Sequence, residues 1–317
     1  MYKNTPLFLI ISVLLLILIL SVSMVLSRNG SIDSPDSTEN TPTAVTDTEP
    51  PTEPPTEGPT QIPTDPDKEY IGTLYTREEL EAMSTKYDGY GPGIWGPGVR
   101  AKYAVWDQEK YGKYGANFIA PDNGNIYLTF DCGYEYYYTD TNGNRVSNTG
   151  VILDTLKEKN AKAVFFVTMD FVKKEAALVQ RMIDEGHTVG NHSNNHKRMS
   201  ELSIDEMVYE VMSLHDYVKE KFDYTMTLFR PPEGNYSVQS LCVVQSLGYK
   251  TVHWSFAYAD FDTANQPETD YAYQRVTNSH HSGAIFLLHA ISKTNAAILG
   301  DVIDFFRAQN YNLELFR

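Results

Sequence analysis

From residue 125 onward the chain alternates between two textures. Short runs rich in β-branched and aromatic residues occupy 126–131, 163–168, 187–190, 226–230, 250–255 and 284–289, and they predict strands. Longer amphipathic stretches at 149–159, 173–185, 203–221, 237–247, 267–279 and 295–309 predict helices. Strand–helix alternation of this kind predicts an α/β fold around a parallel sheet, open or closed into a barrel. Upstream, residues 76–83 (TREELEAM) read as a short helix, and Gly-Pro turns follow at 91–98. The Tyr/Gly-rich stretch 70–124 therefore reads as a capping extension on a main domain over 125–317.

Two N-terminal segments lack this alternation. Residues 7–26 are apolar except for Ser12, Ser21 and Ser23, long enough for a membrane-spanning helix. Lys3 before them favours a cytoplasmic N-terminus. The expectation is an anchor over 1–28 that carries the rest of the chain to the outer side of the cell membrane. A cleaved signal peptide, with Val25-Leu26-Ser27 as a poor cleavage site, is the alternative and would secrete the chain. Residues 29–69 are Pro, Thr, Ser and acidic residues, with Thr-Glu-Pro-Pro repeated from Thr48 to Pro55. Such a segment cannot bury enough apolar surface to offset its ordering entropy, so it reads as a disordered linker. At roughly 3 Å per residue of polyproline-like chain it would reach on the order of 100 Å.

Charge and cysteine content narrow the picture. The net charge is −15, and nine Asp/Glu with no Lys or Arg fall within 29–67, so the remainder is mildly acidic. No basic run stands out, which argues against nucleic acid as a partner. The 22 tyrosines suit a carbohydrate-facing surface or a Tyr-rich core equally. Two cysteines, Cys132 and Cys242, are too few for a disulfide framework, although one bridge between them is allowed.

Candidate chemistry sits at the predicted strand ends, where barrels carry their active sites. Asp131 closes an apolar strand, which suits a general base or, more plainly, a turn cap before Gly133. His192 and His196 lie four apart in a polar stretch; on a helix that spacing puts both imidazoles on one face to ligate a metal, and otherwise they are solvated histidines. His187 reads as structural. Arg230 ends a strand before Pro231 and Pro232, which hold it to orient Asp131 and lower its pKa, or it is a surface arginine at a rigid turn. His289 ends the last predicted strand and suits a general acid, with Asp260 near Trp254 as its partner and Asp262 and Asp270 as rivals.

These segments, Thr-Phe-Asp-Cys-Gly at 129–133, Gly-Asn-His-Ser at 190–193, Arg-Pro-Pro-Glu-Gly at 230–234 and Leu-Leu-His at 287–289, resemble the polysaccharide deacetylases, the family with the NodB homology domain. Within it they are most similar to the delta-lactam-forming enzymes that act on N-acetylmuramic acid in the peptidoglycan of spore-forming bacteria. The resemblance covers roughly 120–317. It implies a distorted (β/α) barrel of seven strands, a divalent metal, commonly zinc, and hydrolysis of an N-acetyl group from a cell-wall glycan. It also implies Asp131 as base, His192 and His196 as ligands, Arg230 as orienting group, and Asp260 with Trp254 supporting His289 as acid. Tyr134, Pro231 and Trp254 would face the sugar, with a backbone N–H near Tyr134 on the oxyanion. Cys132 departs from the family's second aspartate: it is a third, thiolate ligand, a bystander at a two-histidine site, or a mark of changed function. N-acetylglucosamine or an exopolysaccharide as substrate, and an inactive glycan-binding module, are the rival readings.

Overall fold

The structure, a computed structural model, describes residues 74–87 and 89–317. The chain divides into two units, Met1–Pro59 and Thr60–Arg317, and every described residue belongs to the second. The expected anchor at 1–28 and linker at 29–69 lie outside the described residues. Among the described residues no helix is long and apolar enough to cross a membrane.

The main sheet is parallel and curled. Its strands are β1 (Ala116–Asn117), β2 (Asn125–Cys132), β5 (Val164–Val167), β6 (Thr188–Asn191), β7 (Leu228–Phe229), β8 (Lys250–Val252), β9 (Ala284–His289) and β10 (Asn312–Leu313). A separate hairpin pairs β3 (Tyr137–Thr139) with β4 (Arg145–Ser147). The order is β1-β8-β7-β6-β5-β2, and β2 also pairs with β9 over its whole apolar length. A parallel bridge between Phe256 and Phe286 brings the chain after β8 onto β9, so the sheet turns back on itself. Among the described residues the main sheet has eight strands, where the family resemblance implies seven. The count rises because two-residue strands join at the flanks: β10 takes residues 125–126 of β2, beside the part that β5 covers at 129–132.

The predicted elements recur with informative differences. β7 ends early: the Arg230 N–H still bonds the Asn191 carbonyl as the last rung, and Pro231 has no N–H to continue the ladder. The run at 250–255 divides: His253 bonds back to Asn117, while Ser255 and Phe256 bond to Ile285. The single helix expected at 173–185 is two, α4 (Met169–Lys174) and α5 (Ala176–Asp184), broken at Glu175. Thr168 caps the Phe171 N–H and so starts α4 earlier than the apolar period suggests. The helices α3 (Asn148–Glu158), α6 (Ile204–Phe222), α7 (Val238–Ser246), α8 (Thr269–Thr277) and α9 (Lys293–Ala308) lie close to their predicted spans. β2 is buried from Ile126 to Cys132, as expected of a strand covered on both faces.

Before the main domain come α1 (Arg77–Glu81) and α2 (Lys102–Tyr111). This extension does more than cover the curled sheet. It contributes β1 to the sheet beside β8, and it packs Tyr90 against Phe118, His253 and Trp254.

Candidate active site

All strands of the main sheet run parallel, so their C-terminal ends gather at one rim. Asp131 and His289 occupy the last turns of β2 and β9, and Arg230 and His192 each follow the end of a strand. Arg230 is completely buried, contrary to the surface-arginine alternative. Its Nη1 donates to Asp131 Oδ1 at 2.8 Å, its Nε to the Val252 carbonyl at 3.0 Å and its Nη2 to the His253 carbonyl at 3.1 Å. The guanidinium also lies 4.2 Å from the Phe166 ring centre. A buried cation is tolerable here because its donors are met and a carboxylate balances its charge. Burial pushes the Asp131 carboxyl up, but the charge of Arg230, with His192 and His289, more than offsets that and holds it below the usual range. Asp131 is therefore ionised at neutral pH and ready to accept a proton.

The two histidines meet without a helix. Residues 192–196 form a loop after β6, in which Ser193 and His196 take positive φ of 69° and 56°. Their rings lie 4.9 Å apart at 77°. His192 Nδ1 is 2.8 Å from the Arg230 carbonyl, to which it donates, leaving Nε2 as the free lone pair, 3.5 Å from Asp131 Oδ2. Burial holds its pKa down to about 4, so the ring is neutral. Neutral imidazole, with Nδ1 fixed by a backbone carbonyl, is the ligating form. The pair therefore suits a divalent ion. The third ligand position is different. Cys132 is fully buried among the core residues and does not line the cleft. Strand pairing continues through it to Val167, and Thr168 N–H bonds its carbonyl, so its side chain takes the face opposite Asp131. Burial also pushes its thiol well up, toward the neutral form. Among the described residues, no three His, Cys, Asp or Glu side chains form a metal-holding group. Cys132 and Cys242 are both free.

On the neighbouring strand, in register with Asp131, His289 Nδ1 lies 2.7 Å from Asp260 Oδ1 and its backbone N–H donates to Oδ2 at 2.8 Å. Burial pulls the imidazolium down, but the Asp260 hydrogen bond and charge, helped by Asp131, raise it overall. The rivals are placed elsewhere: Asp262 closes its own turn on Ala264, and Asp270 borders a separate groove on α8. His187 is structural, accepting the Ala163 N–H.

These groups open into a cleft of about 870 Å³. Tyr134, Trp254, Tyr258 and Phe261 form its aromatic lining. Pro231, expected to face the sugar, is buried; Glu233 and Gly234 of the same turn line the cleft instead. Gly234 has φ 62°, and a Cβ there would come within 2.5 Å of the Trp254 ring, so a side chain at this position would displace the cleft wall. Glu210 is a residue that sequence reasoning passed over. It is 1 % exposed, and its carboxylate accepts Asn195 N–H at 2.7 Å and Asn195 Nδ2 at 2.8 Å, fixing the histidine loop. Its signal was present: a charged residue within the apolar stripe Met207, Val211, Leu214 of α6.

Comparison with known proteins agrees with this geometry. A family model described as polysaccharide deacetylase matches residues 119–252. The peptidoglycan-N-acetylmuramic acid deacetylase PdaA of Bacillus subtilis is 38% identical over 204 residues, 64% of this chain and 74% of its own. The peptidoglycan-N-acetylglucosamine deacetylase PgdA of Listeria monocytogenes is 33% identical over 192 residues, 61% of this chain and 38% of its own. The solved structure of B. subtilis PdaA, a family 4 carbohydrate esterase, superposes with TM-score 0.64 at 33% identity, covering 72% of this chain and 94% of that one. With its carboxylate and imidazole pairs at the C-terminal rim of a curled parallel sheet, the chain belongs to the polysaccharide deacetylase family.

Proposed function

We propose that this protein hydrolyses the N-acetyl group of an amino sugar in peptidoglycan, with N-acetylmuramic acid as the sugar. The observation that carries the reading is that two buried pairs open into one cleft from neighbouring strands: Asp131 held by Arg230, and His289 held by Asp260. Asp131 takes the proton of the attacking water, and Arg230 keeps the carboxylate ionised and aimed. Tyr134, at the cleft edge, offers the backbone N–H that would meet the oxyanion. His289 then gives its proton to the departing sugar nitrogen, releasing acetate and a free amine. Where the lactyl group carries no peptide, that amine can close on the lactyl carboxyl with loss of water to give a δ-lactam.

A divalent ion, zinc in this reading, would be held by His192 and His196 and would supply Lewis acidity to the acetyl carbonyl. The similarity to PdaA supports the muramic sugar, and the similarity to PgdA supports N-acetylglucosamine as the second reading. We place the catalytic domain outside the cell membrane on the strength of the apolar run at 7–26.

The test is acetate release by the full-length chain, in detergent, from peptide-free glycan strands and from N-acetylglucosamine oligomers, with and without chelator. Chelator-sensitive release from the strands, with muramic δ-lactam in the product, is the expected result. Release from the oligomers alone transfers the assignment to glucosamine. No release from either overturns the hydrolase reading.

A further inference from the structure

The proton donor is held by a partner that has a partner of its own. Asp260 is fully buried, and Oδ2 accepts from Asn295 Nδ2 at 2.5 Å as well as from the His289 N–H. The same Asn295 amide reaches the His289 carbonyl at 3.3 Å. Asn295 is 2 % exposed and sits in the first turn of α9, where its N–H bonds the Ser292 cap. Its Oδ1 accepts from the Tyr258 hydroxyl, and Tyr258 lines the cleft. A primary amide has one accepting end and one donating end. The Asp260 carboxylate and the His289 carbonyl only accept, so the NH₂ must face them, which leaves Oδ1 to accept from the Tyr258 hydroxyl. The charged groups that act on His289 are Asp260, Asp131 and Arg230, and the Phe261 ring stands edge-on at 5.8 Å. Of these, Asp260 alone is hydrogen-bonded to the ring, so the orientation of its carboxylate sets the orientation of the imidazole.

We infer that Asn295 is a positioning residue for proton delivery: it locks Asp260, and through it His289, and Tyr258 ties this lock to the wall of the substrate cleft. The inference rests on the reading of His289 as general acid. It predicts an effect specific to leaving groups that need a proton. An amine must be protonated as the C–N bond breaks, whereas 4-nitrophenoxide leaves as the anion.

The experiment compares amide hydrolysis of peptide-free glycan strands with ester hydrolysis of 4-nitrophenyl acetate by the full-length chain. For Asn295→Ala, kcat on the amide is expected to fall about 10- to 100-fold with KM within about twofold, the range for losing a group behind a catalytic one, while the ester rate stays within about threefold. Tyr258→Phe is expected to lower the amide rate about two- to fivefold more than it lowers the ester rate. Equal loss on both substrates, or no loss on the amide, overturns the inference. If Asn295→Ala does not fold, the amide-to-ester ratio of Tyr258→Phe decides in the same way. His289→Ala is the control. If it too leaves the ratio unmoved, the general-acid reading has failed; if it shifts the ratio and Asn295→Ala does not, the positioning role alone has failed.

Discussion

The two residues proposed as base and acid of this site, Asp131 and His289, are held in opposite ways. Asp131 sits in the middle of the sheet, between β5 and β9, and its partner Arg230 is sealed in by Val252, His253 and Phe166. His289 is at the end of β9 with 24% of its side-chain surface exposed, and its partner Asp260 comes from a loop rather than a strand. The difference follows from what each must do. A base that attacks through water gains from a fixed, dry environment, where its charge interaction with Arg230 is little screened. An acid must release product and take a new proton from solvent each cycle, so it belongs at the open wall.

Changing one side at a time would break this comparison. The largest effect is expected for Asp131→Asn, which keeps the shape and removes the base: turnover should fall about 10³- to 10⁴-fold on amide and ester alike, while circular dichroism is unchanged. His289→Ala should cost about 10²- to 10³-fold on the amide with the ester largely spared. Equal losses on both substrates would merge the two roles and remove the distinction.

Stability should separate the sides as well. Arg230→Met leaves a carboxylate buried without its cation, and denaturant unfolding should show a loss of about 3–5 kcal/mol. Asp260→Asn keeps most of its hydrogen-bonding capacity and should cost less. Cys132→Asp places a carboxylate in the apolar core and should destabilise the fold by about 1–3 kcal/mol, without tighter zinc binding by calorimetry. Tighter zinc binding with unchanged stability would return position 132 to the metal site.

The smallest effect is the pH response, and it differs in sign between the sides. Asp131 is depressed in the folded state, so its stabilisation is present above the unfolded value of about 3.9 and is lost as pH falls toward the folded value. His289 is raised, so its stabilisation is full below the unfolded value of about 6.5 and is lost as pH rises through the folded value. The amide rate profile should therefore have an acid limb below the usual carboxylate range and a basic limb above 6.5, and Asp260→Asn should move the basic limb down.

Much of this was legible in the residues. Short β-branched and aromatic runs located the strands and amphipathic runs the helices, because a strand covered on both faces reads as a continuous apolar run and a helix buried on one face keeps a 3.6-residue spacing. Asp131, Arg230 and His289 stood out because charged or polar groups closing apolar strands are costly without a purpose. Other features were not legible. The early start of α4 depends on the Thr168 cap, and the histidine pair depends on a loop with positive φ that the four-residue spacing does not announce. The sequence favours Asp260 over its rivals Asp262 and Asp270, but the contact that separates them, a carboxylate reaching His289 across 29 residues of chain, is tertiary. Glu210 carries a signal only as a charge inside an apolar stripe, and the role of Asn295 depends on partners that the fold brings to it.

By itself the sequence determined the α/β alternation, the strand ends that carry chemistry, and the family. Those are local properties: side-chain period, apolar runs and short motifs persist whatever the rest of the chain does. Only the tertiary structure decided that Cys132 faces the core while Asp131 faces the cleft. Adjacent residues on a strand must take opposite faces, but which face becomes the cleft is set by the sheet's curl, the helices packed behind it and the strands paired on either side.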